Sequence, residues 1–92
     1  MPVVHFPLGH VIATPGALAA MERTNAQPLT FLVRHQAGEW GDLDSADIAE
    51  NEYSLTRELR LLSAYTLSDG TRIWIITEAD RSSTCILLPE EY

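Results

Sequence analysis

Leu61-Leu62-Ser63-Ala64-Tyr65-Thr66-Leu67-Ser68-Asp69-Gly70-Thr71-Arg72-Ile73-Trp74-Ile75-Ile76-Thr77-Glu78 is the stretch that decides the fold. Two β-rich segments, Leu61 to Leu67 and Arg72 to Glu78, are joined through Ser68-Asp69-Gly70-Thr71. Asp-Gly between two such runs is the strongest short-range hairpin signal, because both positions of the favoured turn need positive φ. A two-residue Asp69-Gly70 loop sets the register: Tyr65 faces Trp74, Leu67 faces Arg72 and Ser63 faces Ile76 on one surface. The other surface then carries Leu62, Ala64, Thr66, Ile73, Ile75 and Thr77. All are small or apolar, so that face is expected to pack on helices. A third strand, Thr84 to Leu88, follows the turn Ala79-Asp80-Arg81-Ser82. Pro89 ends it and leaves Glu90-Glu91-Tyr92 as an acidic tail.

Upstream of the hairpin the pattern is helical. Thr14 can cap the free N–H groups of a helix that Pro15 begins and that runs to about Arg23, burying Leu18 and Met21, with Asn25 as its stop. Pro28 opens a second helix to about Ala37. There Leu29, Leu32 and Val33 form the expected core stripe, and Gly38 leaves the helix with positive φ. A third helix runs from its cap Asp44 to about Leu55, with Asp47 three residues on, close to a capping box. Ile48, Leu55 and Leu59 lie near one face of it, and Asp47, Glu50, Asn51 and Ser54 near the other. Val11 to Ala13 reads as a short strand. The expectation is one α+β domain over residues 1–92: a short N-terminal strand, three helices, then a three-stranded antiparallel meander packed on them (β-α-α-α-β-β-β).

Bulk composition narrows the function classes. Hydrophobic residues make up 46% of the 92, too many for disorder. No apolar run approaches a membrane span, and Met1 to His5 does not read as a signal peptide, so a cytoplasmic protein without membrane association is expected. The single cysteine excludes an internal disulfide and fits a reducing compartment. There are 13 acidic residues against 6 basic ones, a formal net charge of −7, and every basic residue is arginine. Phosphate neutralisation supplies most non-specific nucleic-acid affinity, so this balance disfavours a nucleic-acid partner in bulk. It suits a protein partner with a basic surface. A chain this short buries a modest share of its surface, so a protein partner or a homodimer is expected.

Three constellations are candidates for a site. Arg34 and His35 end the second helix, and Trp40 follows; histidine is the usual acid/base at neutral pH, whereas the structural alternative has both cations on helix-end carbonyls and Trp40 closing the core. Thr77, Glu78, Asp80, Arg81, Ser82, Ser83 and Thr84 put polar groups around an arginine that can grip an oxyanion, against the alternative of ordinary turn composition. Tyr65, Arg72, Trp74 and Ile76 form an expected outer hairpin face, able to anchor a protein or merely to stabilise the sheet. His5, His10, His35 and Cys85 show no paired metal-ligand spacing, and Cys85 lies in an apolar strand as a small packed residue. No metal and no cofactor is expected.

Phe6-Pro7-Leu8-Gly9-His10 with Thr14-Pro15-Gly16-Ala17-Leu18, Arg34-His35 through Gly38 to Trp40-Gly41-Asp42-Leu43, and Asp69-Gly70-Thr71 through Ser82 with Leu87-Leu88-Pro89-Glu90-Glu91-Tyr92 together resemble small bacterial accessory proteins carried on plasmids and integrative elements. The resemblance implies a mobile-element accessory role and no mechanism. Within it two functions compete. The favoured one is a non-catalytic protein-binding module, anti-defence or regulatory. The alternative is a ribonuclease-like toxin of the RelE/barnase type, with His35 as base, Arg81 as phosphate clamp and Thr84 as hydroxyl donor, which rests on fold-level analogy.

Overall fold

The computed structural model describes residues 3–92. Its elements in chain order are β1 (His10–Ala13), α1 (Pro15–Arg23), α2 (Pro28–Gln36), α3 (Ser45–Arg57), β2 (Leu61–Thr66), β3 (Arg72–Thr77), β4 (Ser83–Leu87) and a 3-10 turn, Pro89–Glu91. The class is α+β, as expected, with three helices. The sheet differs from a free-standing meander: it has four strands in the order β1-β4-β3-β2, and β1 joins β4 in parallel. That pairing closes a loop of some seventy residues, for which no local sequence signal exists.

Helix boundaries follow their caps. Thr14 Oγ1 accepts from the Ala17 amide at 3.2 Å, and the Asp44 carboxylate accepts from the Asp47 amide at 2.8 Å. Helices α1 and α2 end in the same paired pattern. In α1, Asn25 (φ 58°) donates to Glu22 and Ala26 to Met21; in α2, Gly38 donates to His35 and Glu39 to Arg34. In α3, left-handed Glu58 lets Leu59 donate to Ser54, carrying the helix to Arg57, past the expected Leu55.

The hairpin forms where Asp69-Gly70 places it, but its register is one residue away from the expected one. Tyr65 pairs with Ile73, Ser63 with Ile75 and Ala64 with Trp74. The reason lies in the turn. Gly70 donates to Leu67, Leu67 donates to Thr71, and Gly70 alone takes a left-handed φ of 89°. The loop is therefore three residues, Ser68 to Gly70, with glycine in the left-handed bulge position. One residue of slip exchanges the two faces of β2 relative to β3. The helix-covered face carries Leu61, Ser63, Tyr65, Leu67, Ile73, Ile75 and Thr77, all buried. Leu62, Ala64 and Trp74 lie on the outer face with Ile76, Cys85 and Leu87.

Two buried clusters occupy the helix side. Ala17, Ala20 and Met21 of α1 and Leu32 of α2 pack on Tyr65, Leu67, Ile73, Ile75 and Ile86. Phe6, Trp40 and Leu61 form the second, flanked by Leu43 and Leu55. Three expected core residues sit elsewhere: Leu18 is half-exposed, Leu29 is 69% exposed, and Val33 is only partly buried. α2 is rotated so that Leu32 and His35 face inward. On α3 the buried residues are Asn51 and Ser54, both expected on the solvent side.

Asn51 explains that orientation. Its amide donates to the Leu62 carbonyl at 2.6 Å, and its side-chain oxygen accepts from the Leu62 amide at 3.0 Å. The side chain thus serves as a neighbouring strand for β2. Further along the same edge, Ala64 donates to Trp40 and accepts from Asp42, so Gly41 bridges β2 in parallel. At Gly41 (φ 80°) an added Cβ would lie 2.0 Å from the Ala64 carbonyl, whereas at Gly70 it would meet nothing within 4 Å. Gly41→Ala is therefore expected to lose roughly 3 kcal/mol or more by denaturant unfolding, and Gly70→Ala only about 1 kcal/mol, from backbone strain alone. Equal losses would contradict the sealed β2 edge.

Candidate functional site

His35, the residue best suited to proton transfer, is fully buried. Its Nδ1 lies 2.5 Å from Ser63 Oγ and its Nε2 2.9 Å from Thr77 Oγ1. Thr77 Oγ1 is 2.7 Å from Thr84 Oγ1, which donates to the Leu8 carbonyl at 2.8 Å. The carbonyl can only accept, and this orients the chain. Thr84 gives its proton to Leu8 and accepts from Thr77; Thr77 then accepts from His35 Nε2–H, and Ser63 donates to the bare Nδ1. The neutral Nε2–H tautomer satisfies every group in the chain.

The surroundings favour the same state. Phe6 and Trp40 meet the imidazole edge-on, with ring centroids 5.1 and 5.7 Å away. Burial, and second the positive charge of Arg81, lower the His35 pKa from 6.5 to about 4. In this conformation the ring is shut off from solvent and does not take up a second proton at neutral pH.

Arg81 is equally committed. From a left-handed backbone (φ 61°) its guanidinium donates to the carbonyls of Leu59 (2.6 Å), Glu78 (3.1 Å), Ala79 (3.1 Å) and Ser54 (3.2 Å). It ties the end of α3 to the β3–β4 turn, and its donors point at backbone rather than at an oxyanion. Thr84 is buried. The structure thus joins His35 to Thr84 through Thr77, and seals both. Among the described residues no three His, Cys, Asp or Glu side chains converge as metal ligands.

The expected aromatic pair on the outer hairpin face is not formed. Tyr65 is a core residue at 2% exposure, its hydroxyl donating to the Glu39 carbonyl at 2.5 Å with Arg34 stacked 4.6 Å over its ring. The one-residue register change puts it on the face opposite Trp74. Arg34 lies only 3.9 Å from the exposed Glu39 carboxylate, a weak pair. Trp40 is buried, donating from Nε1 to Glu52 at 2.7 Å. Arg72 is exposed on the outer face beside Trp74.

A different partner meets Trp74 there. The ring of Tyr92 packs edge-on against it at 5.7 Å, and Arg60 donates to the Tyr92 hydroxyl at 2.7 Å while lying 3.4 Å from the Glu78 carboxylate. The turn before Tyr92 is pinned by Glu91, whose carboxylate accepts from the Thr14 hydroxyl and from the Leu88 amide. These bonds hold its pKa below the ordinary glutamate value. Beside Trp74, Leu62, Ile76, Cys85 and Ile12 occupy successive strands of one cross-sheet row. Burial raises the Cys85 pKa, aided by Glu91 and Glu78, which keeps the thiol protonated and apolar in character. Of this face Ala64, Ile76 and Leu87 are buried and Leu62, Trp74 and Cys85 half-buried beside the C-terminal turn, so what it exposes is chiefly Arg72, Tyr92 and the edge residue Ile12.

A shallow depression of about 510 Å³ beside α2, lined by Gln27, Leu29, Thr30 and Val33, contains no titratable group. No protein-family model, curated protein or solved structure matches the chain. No described helix is long and apolar enough to cross a membrane.

The residues that sequence reasoning missed are Ser63, as a partner of His35, and the pair Arg60 and Tyr92. Ser63 had a signal: it shares strand parity with Leu61 and Tyr65, so a buried hydroxyl needed a partner. Tyr92 had none, since it reaches Trp74 through a fold-back.

Two outcomes follow for the His35 chain. Between pH 6.5 and about 4 the unfolded chain takes up a proton at His35 that the folded chain refuses, so stability falls with pH through that window and this contribution levels off below it. The loss expected in urea titrations is about 3 kcal/mol, from a shift of that size. Thr77→Val, which keeps the volume and orphans His35 Nε2–H and Thr84, should destabilise by roughly 1–3 kcal/mol at pH 7. A near-neutral Thr77→Val would show that the chain is not a structural one.

Proposed function

We propose that this chain is a non-catalytic protein-binding module that docks its partner on the outer face of the sheet. The observation that carries the reading is the separation of chemistry from surface. His35 and the hydroxyls of Ser63, Thr77 and Thr84 are buried and satisfied within the core. Trp74, Arg60 and Tyr92 cluster on a sheet face covered only by the C-terminal 3-10 turn, with Arg72 exposed further along β3, and Tyr92 is 70% exposed. Trp, Tyr and Arg are the side chains that most often dominate a protein interface, because each combines a large apolar surface with a polar end.

Charge selects the kind of partner. Every charged residue from Glu39 to Ser54 is acidic, and Glu78, Glu90 and Glu91 lie around the C-terminal turn. A partner with an apolar centre and a basic rim complements that distribution, with acidity acting mainly on encounter rate and choice of partner. The resemblance to mobile-element accessory proteins supports an anti-defence or regulatory setting for this binding. The ribonuclease reading draws no support from the site, since its base and hydroxyl are sealed and its clamp is engaged by backbone carbonyls.

Capture from the native host with tagged protein tests the proposal. A partner held by the wild type should be lost, with affinity lowered about tenfold to a hundredfold, from Trp74→Ala and from Tyr92→Ala, while far-UV circular dichroism is unchanged. Retention of that partner by a variant carrying both changes contradicts the assignment of the outer face. Growth arrest with breakdown of total RNA on expression contradicts the non-catalytic reading.

A further inference from the structure

The two edges of the sheet are treated differently. β2 is closed along its outer side by Asn51, Trp40 and Asp42, as described above. β1, at the other end of the strand order, has a neighbour only on its β4 side. The amides of His10 and Thr14 donate to the carbonyls of Ser82 and Ile86. In a parallel ladder alternate residues point to the same neighbour, so His10, Ile12 and Thr14 face β4 while the peptide groups of Val11 and Ala13 point outward. Outside the β1–β4 ladder, no hydrogen bond among the described residues reaches the backbone of Val11 or Ala13. The side chains beside them are apolar and accessible, with Val11 46% and Ile12 56% exposed.

Natural edge strands are usually blunted by lysine, proline, an inward charge or a bulge. None occurs within His10–Ala13. Local charge does not oppose pairing either. Residues 1–21 contain no Asp, Glu, Lys or Arg, and all 13 acidic residues follow from Glu22 onward. The acidic α3 flanks the opposite edge, against β2.

We propose that β1 is a self-association edge, at which a second copy of this chain pairs antiparallel about a two-fold axis through Ile12. That register follows from the outward groups. Val11 of one copy exchanges both backbone hydrogen bonds with Ala13 of the other, and the reverse, giving four bonds in all. Ile12 then faces its own symmetry mate as a non-hydrogen-bonded pair, Cα atoms ~4.5 Å apart. The outer row of Leu62, Ile76, Cys85 and Ile12 continues into the same row of the second copy. The two four-stranded sheets become one. A second copy fits better than an unrelated strand because the exposed ridge is self-complementary: the same residues supply both sides of an isologous contact. The edge is only four residues long, which makes the association a modest one. It stands apart from the partner-docking reading, since a single copy already presents Trp74 and Tyr92.

Sedimentation equilibrium of the full chain, at concentrations up to about 0.5 mM where associations in the micromolar range are populated, provides the first test. The wild type should approach the dimer mass. Val11→Pro removes only an outward N–H and is compatible with an edge position, so it should stay folded and weaken the dimer about tenfold or more through two lost bonds. Ile12→Asp should abolish the dimer by opposing two carboxylates across the axis, with an unchanged circular dichroism spectrum.

Register is read separately. In a Cys85→Ser background, Ile12→Cys should form an intermolecular disulfide when oxidised with copper phenanthroline in air, the two thiols losing their protons and two electrons to the oxidant. Val11→Cys should not, because its mate lies two residues out of line, beyond disulfide reach. A wild type that is monomeric at every concentration overturns the proposal. So does a dimer that survives both Val11→Pro and Ile12→Asp. Loss of partner capture in Trp74→Ala with the dimer intact leaves the edge assignment supported, so the two readings are separable.

Discussion

The hydrogen-bonded chain running from Ser63 through His35, Thr77 and Thr84 to the Leu8 carbonyl ties α2, three strands of the sheet and the N-terminal segment together through buried side chains. It connects α2 to β2 and β3, carries on to β4, and ends on the N-terminal segment. Apolar packing tolerates small slips, whereas a buried polar chain does not, because each displaced hydroxyl loses a partner that water cannot replace. Direction adds to that constraint. With a carbonyl at one end and a neutral imidazole inside, one arrangement of protons satisfies every member. Ser63 and Thr77 share the helix-covered face only in the observed register, so the chain and the three-residue turn at Ser68 to Gly70 require each other.

From this arrangement the placement of the edges and faces follows. Phe6 and Trp40 close over the His35 ring, and the segment that positions Trp40 continues as the strand-like Gly41 contact sealing β2. Leu8 is held by Thr84, and two residues later the chain enters β1 with its outer side free. Helices occupy one face of the sheet. On the other, the C-terminal turn lays Tyr92 on Trp74. His35 and its hydroxyl partners are thus inside, and Tyr92 and the β1 edge are outside.

Local signals were legible in the sequence and long-range ones were not. Thr14, Asp44, Asn25 and Gly38 marked helix ends through groups within a few residues, and Asp69-Gly70 marked the hairpin. The register failed because Asp-Gly suits both a two-residue loop and a three-residue loop with glycine in the bulge, and periodicity in β2 is equally apolar on both parities. That single residue moved Tyr65 from the surface to the core and dissolved the expected pair with Trp74. On α2, ranking by hydrophobicity favoured Leu29, while the interior offered hydroxyls to His35 instead. Arg81 read as an oxyanion clamp because its composition context was polar. Its actual partners are backbone carbonyls, which side-chain identity does not reveal. The parallel join of β1 to β4 depends on the whole intervening chain.

The most direct measurement on the central claim is long-range nitrogen–proton NMR of the His35 ring. The account predicts, at pH 7, a neutral imidazole with the proton fixed on Nε2, a slowly exchanging ring N–H, and titration only near pH 4. A His35 that titrates near 6.5 with both tautomers in fast exchange would contradict the buried chain and return this residue to the list of accessible catalytic groups.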